Sequence, residues 1–118
     1  MKTLSVLAGA ALSLLATAAF AQTPQIVMEE AMVPSPQPGI EIYVRNKHRA
    51  DMTSFSPDRT VLFVHGSTYP AHTAFDLQLG GMSWMDYIAQ QGYDVYLLDL
   101  PGYGKSTLAI QYSARRRT

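Results

Sequence analysis

The chain has 118 residues, with nine Lys+Arg against nine Asp+Glu and no cysteine. Without a thiol there is no disulfide framework, no thiolate zinc site and no cysteine nucleophile. A formal net charge of zero supplies no whole-chain basic field, so nucleic acid is not an expected partner.

The 47% hydrophobic fraction is concentrated at the start, where 15 of the first 21 residues are apolar. Lys2 gives a positive start, Leu4 to Leu15 an apolar stretch, and Ala19-Phe20-Ala21 a small-x-small cleavage site. That order predicts a signal peptide over residues 1–21, a mature chain of 97 residues beginning at Gln22, and a secreted or periplasmic location. A membrane span needs about 20 strongly apolar residues, and this stretch is shorter, dilutes into Ala, Ser and Thr, and soon meets Pro24. No membrane association is expected after cleavage, and no cysteine at the cleavage point offers a lipid anchor.

Pro34, Pro36, Pro38 and Gly39 separate two extended segments. The first runs from about Ile26 to Val33. In the second, Ile40, Ile42 and Val44 alternate with Glu41, Tyr43 and Arg45, which predicts a half-buried strand and an antiparallel hairpin. Asn46 to Arg59 reads as a loop around Pro57-Asp58. Val61-Leu62-Phe63-Val64 is an unbroken apolar run, as in a parallel strand covered on both faces. A helix is expected from about Ser83 to Gln91, started by a Ser83/Asp86 capping box, stopped at Gly92 and apolar at Trp84, Met85 and Ile88. Tyr93 to Leu98 follows as a second apolar strand, completing a βαβ unit.

Two loops carry the chemistry-bearing residues. The connection from His65 to Gly81 exceeds the usual two to six residues of a βα loop, and it leaves the carboxyl end of a parallel strand, where α/β proteins place their sites. The second loop is Asp99-Leu100-Pro101-Gly102-Tyr103-Gly104-Lys105-Ser106. Gly104-Lys105-Ser106 matches the end of a phosphate loop, but Asp99 stands where the opening glycine belongs, and a carboxylate there repels phosphate. Thr107 occupies the third-glycine position of the dinucleotide pattern. No nucleotide or other cofactor is expected. His48 and His72 lack metal-ligand spacing and a carboxylate in register, so they read as surface histidines and no metal is expected.

A strand running into His65-Gly66, then a helix, then a strand running into Asp-x-Pro-Gly-aromatic-Gly-x-Ser resembles the N-terminal half of the α/β-hydrolase fold over roughly residues 26–106. The resemblance implies an α/β architecture, with an antiparallel hairpin followed by a βαβ unit as an incomplete part of the family's sheet. It implies hydrolysis of a small-molecule ester or amide in the full-length family, with the Ser67 backbone N–H as one oxyanion-hole donor and Thr68 its neighbour. His65 and Gly66 would shape that loop; Asp99, Gly102 and Gly104 would form a tight turn, and Ser106 would cap a following helix. Lys105 would be solvated.

None of the nine serines lies in the G-x-S-x-G elbow that such catalysis needs, followed by an acid and a histidine. A complete sheet of that family takes roughly 185 residues by ordinary element lengths. The domain expectation is therefore a signal peptide at 1–21, a hydrolase-like portion at 22–106 and an unassigned basic tail at 107–118 with Arg115-Arg116-Arg117. The functional expectation is a fragment without a serine triad and inactive alone, its reading frame continuing in the coding DNA. The alternative is a small exported binding protein complete at 97 residues.

Overall fold

A computed structural model of the protein describes residues 22–108, so the expected signal peptide and all but the first two residues of the basic tail lie outside the described residues. The elements are β1 (Ile26–Pro34), β2 (Glu41–Arg49), a 3-10 turn at Pro57–Arg59, β3 (Thr60–Val64), α1 (Ala71–Phe75), α2 (Trp84–Gln90) and β4 (Asp94–Leu98). They build one sheet in the order β1-β2-β4-β3. β1 and β2 are antiparallel with Ala31 opposite Val44, β2 and β4 are antiparallel with Val44 opposite Leu98, and β3 lies parallel to β4 with Val64 opposite Leu98.

This architecture corrects the expected fold class. The described residues form a small mixed sheet of four strands with few helices, 17% helical and 34% strand, and not a recognisable part of an α/β-hydrolase. The physical difference lies in coverage. Val61 and Phe63 pack toward the core made by Tyr43, Ala71, Met85, Ala89, Val95 and Leu97, whereas Leu62 is 55% and Val64 49% exposed. Alternate side chains of a strand point to opposite faces, so β3 is covered on one face instead of two. Two helices of five and seven residues cannot shield more.

Local chemistry explains the helix that carries most of that cover. Ser83 accepts a bond from the Asp86 N–H at 2.9 Å while Asp86 accepts from the Ser83 N–H at 3.1 Å, a reciprocal capping box. Met85 and Ala89 are fully buried. Trp84, expected in the core, is 58% exposed, although its ring still lies 5.0 Å from Phe63. Two elements escaped the sequence: β2 runs on to Arg49 through residues assigned to a loop, and α1 forms inside the long connection. Polar side chains hid the first, and a length of only five residues hid the second. Within β2, Asn46 donates to Asp94 at 2.6 Å, and the Lys47 ammonium reaches Asp76 and Asp86 at 2.6 Å each.

The Lys47–Asp86 pair should make the fold acid-sensitive. At Asp86, burial pushes the carboxyl pKa up, but hydrogen bonds from Lys47, Gln78 and the Ser83 N–H prevail and lower it to about 2. A depressed carboxyl favours the fold while it is ionised, so its contribution is complete above the ordinary value near 4 and disappears as the pH falls to about 2. Denaturation midpoints in urea should therefore be flat above about pH 5 and drop below about pH 4. Asp86→Asn should lower the midpoint at neutral pH and flatten the acid slope; an unchanged slope would contradict this assignment.

Candidate functional site

β3 and β4 run parallel, so their carboxyl ends release the His65 and Asp99 loops side by side. The two loops are tied directly. His65 is buried, and its Nε2 accepts the Leu100 N–H at 2.8 Å while Nδ1 lies 2.5 Å from the Gly66 carbonyl oxygen. An Nε2 that accepts leaves the proton on Nδ1, which donates to Gly66. The Tyr103 hydroxyl donates to the Ser67 carbonyl at 2.9 Å, and its ring sits 4.5 Å from that of His65.

The resulting loop is held from behind and open in front. Ser67 and Thr68 are exposed. Among the described residues, neither of their backbone N–H groups has a protein acceptor. A side chain at Gly66 would meet open space, so no close approach there calls for a glycine.

Asp99 is the fully buried centre of the second loop. Its carboxylate accepts the His72 ring Nδ1–H at 2.7 Å, the His72 N–H at 3.3 Å and the Lys105 N–H at 3.1 Å. Burial raises the Asp99 pKa, but these bonds together hold it below the ordinary carboxylate value. Gly102 and Gly104 both have positive φ, at 89° and 48°, a region that side chains disfavour. At Gly104 the need is also steric, because a Cβ would lie 2.1 Å from Asp99 Oδ2.

Ser106 has a different partner set from the expected helix cap. Its hydroxyl donates to the Asp99 carbonyl at 2.5 Å and accepts the Tyr43 N–H at 2.7 Å, tying the loop to β2; any helix beyond it lies outside the described residues. Lys105 is about half exposed but also reaches Glu30 at 3.1 Å. His48 packs edge-on against Phe55. Among the described residues, no group of three or more His, Asp or Glu side chains is arranged to hold a metal.

The residue missed by sequence reasoning is His72. Its carboxylate partner is 27 positions away, and no local spacing encodes it; only the adjacency of two strand ends brings the pair together. A shallow concavity of about 510 Å³, lined by Phe55, Ser56, Pro57, Thr60 and Leu62, shares no residue with these loops. No protein-family model matches the chain, and no curated protein sequence matches it.

Proposed function

We propose that the segment from Gly66 to Pro70 is an oxyanion-binding loop for ester or amide hydrolysis in an exported protein. The observation that carries this reading is the pair of unspent N–H groups at Ser67 and Thr68, on a loop fixed through the His65 ring and the Ser67 carbonyl. Fixed donors stabilise a developing negative oxygen because they need no reorganisation when the charge appears. The motif resemblance to hydrolases supports the same assignment. The given residues contain no G-x-S-x-G, so the reading stands on the loop and not on a nucleophilic serine.

Titration with methylphosphonate, a tetrahedral anion, tests the loop. The backbone amide resonances of Ser67 and Thr68 should shift most, and Ser67→Pro, which removes one donor, should abolish the response. Shifts confined to lysine and arginine surroundings would contradict it. Export belongs to the same reading: expressed in a bacterial host, the protein should be recovered with Gln22 at its N-terminus by intact mass, whereas retention of residues 1–21 would count against cleavage.

The alternative of a small exported binding protein draws on a separate observation, the apolar concavity at Phe55 and Leu62. Enhanced fluorescence of anilinonaphthalene sulfonate, lost in Leu62→Lys without loss of fold, would favour it.

A further inference from the structure

His72 stands in the first turn of α1, five residues beyond Ser67. Asp99 behind it is ionised and can only accept, so the proton of the neutral ring is on Nδ1 and Nε2 carries the lone pair. Nε2 has no hydrogen-bond partner among the described residues. No buried side-chain nitrogen or oxygen among them lacks a partner, so Nε2 reaches solvent. The side chain is 20% exposed while Asp99 is 0% exposed. The Tyr43 ring meets the imidazole edge-on at 6.0 Å, a further restraint on its tilt. A buried carboxylate behind an imidazole and water in front is the arrangement of an oriented general base.

We propose that His72, oriented by Asp99, is a catalytic general base that activates water against esters of good leaving alcohols. The proposal rests on the oxyanion reading of the Ser67 loop, which lies on the same continuous segment. In the step, Nε2 takes a proton from water as the water oxygen bonds to the acyl carbon, and the carbonyl electron pair moves to oxygen. Collapse of that intermediate breaks the bond to the leaving oxygen, which receives the proton from the imidazolium. Carboxylic acid and alcohol are the products, and Asp99 remains ionised throughout. An amide is a poorer substrate because its leaving nitrogen must be protonated before it departs. This route needs no serine on a G-x-S-x-G elbow.

The full chain with p-nitrophenyl acetate, followed by p-nitrophenolate release beside an equal concentration of free imidazole, is the test. The chain should exceed imidazole and show a solvent deuterium isotope effect; His72→Gln should lower the rate about 10²-fold, and His48→Gln should leave it unchanged. If His72→Gln does not fold, diethyl pyrocarbonate applied to folded His48→Gln protein reads the same point, because His65 is buried with both ring nitrogens hydrogen-bonded; activity should be lost on modification and restored by hydroxylamine. Loss of rate in His72→Gln together with a normal rate in Ser67→Pro would keep the base and remove the oxyanion reading. A rate no greater than that of imidazole, or one insensitive to both His72→Gln and diethyl pyrocarbonate, overturns the proposal.

Discussion

Replacing Gly104 by alanine should destabilise the protein by about 2–5 kcal/mol, the sum of a left-handed backbone cost of about 1–2 kcal/mol and an overpacking cost of about 1–3 kcal/mol. Gly104 has φ at 48°, and a methyl group there would meet Asp99 Oδ2 at 2.1 Å, Asp99 Cγ at 2.8 Å and Pro70 Cβ at 2.8 Å. None of those atoms can retreat cheaply. Asp99 is fixed by three hydrogen bonds, and Pro70 is the residue immediately before α1. The check is the urea midpoint of Gly104→Ala, and a change within about 0.5 kcal/mol of zero, ordinary for a surface site, would show that this approach is not as close as described.

Asp99→Ala should cost about 2–4 kcal/mol, since truncation strands the Lys105 and His72 N–H groups beside a fully buried void. The two substitutions share atoms and should not be additive. Once Asp99 is alanine, the methyl group at Gly104 no longer meets a carboxylate, so Gly104→Ala should cost less in that background by at least about 1 kcal/mol. Chemical denaturation of the two single variants and the double variant gives the coupling directly; strict additivity would mean that the Asp99 side chain does not fill the space over Gly104.

The sequence made some elements of the fold readable and left others hidden. The helix start was legible because Ser83 and Asp86 are local partners three residues apart, and the structure forms both of their bonds. The turn glycines were legible because Gly102 and Gly104 lie where the chain must reverse after a strand, and both have positive φ. The extension of β2 was hidden because Asn46 and Lys47 look like loop residues until their partners Asp94, Asp76 and Asp86 are placed around them. Double coverage of β3 was expected from four consecutive apolar residues, but such a run reports composition, whereas coverage depends on which helices the rest of the chain supplies. Here they pack on the face of Val61 and Phe63 and leave Leu62 and Val64 exposed.

His65, Ser67 and Asp99 were singled out by motif position, and the parallel pairing of β3 and β4 brings their two loops side by side. The role of Ser106 was not, because its partners are the carbonyl of Asp99 and the N–H of Tyr43, 63 positions from Ser106. His72 was the largest omission. A histidine and an aspartate far apart in sequence become partners only when two parallel strands end together, and composition carries no trace of that.

Both ring assignments reduce to a question of where a proton sits. His65 Nε2 accepts from Leu100 and His72 Nδ1 donates to Asp99, so both neutral rings should carry the proton on Nδ1 and leave Nε2 bare. Long-range ¹H–¹⁵N correlation spectra of the uniformly labelled protein distinguish the two tautomers for each ring. Nδ1–H signals for both His65 and His72, with that of His72 changing in Asp99→Asn, are the expected result. An Nε2–H tautomer at His72 would remove the lone pair that the base requires, and the same tautomer at His65 would leave the Leu100 N–H without its acceptor and the two loops without their tie.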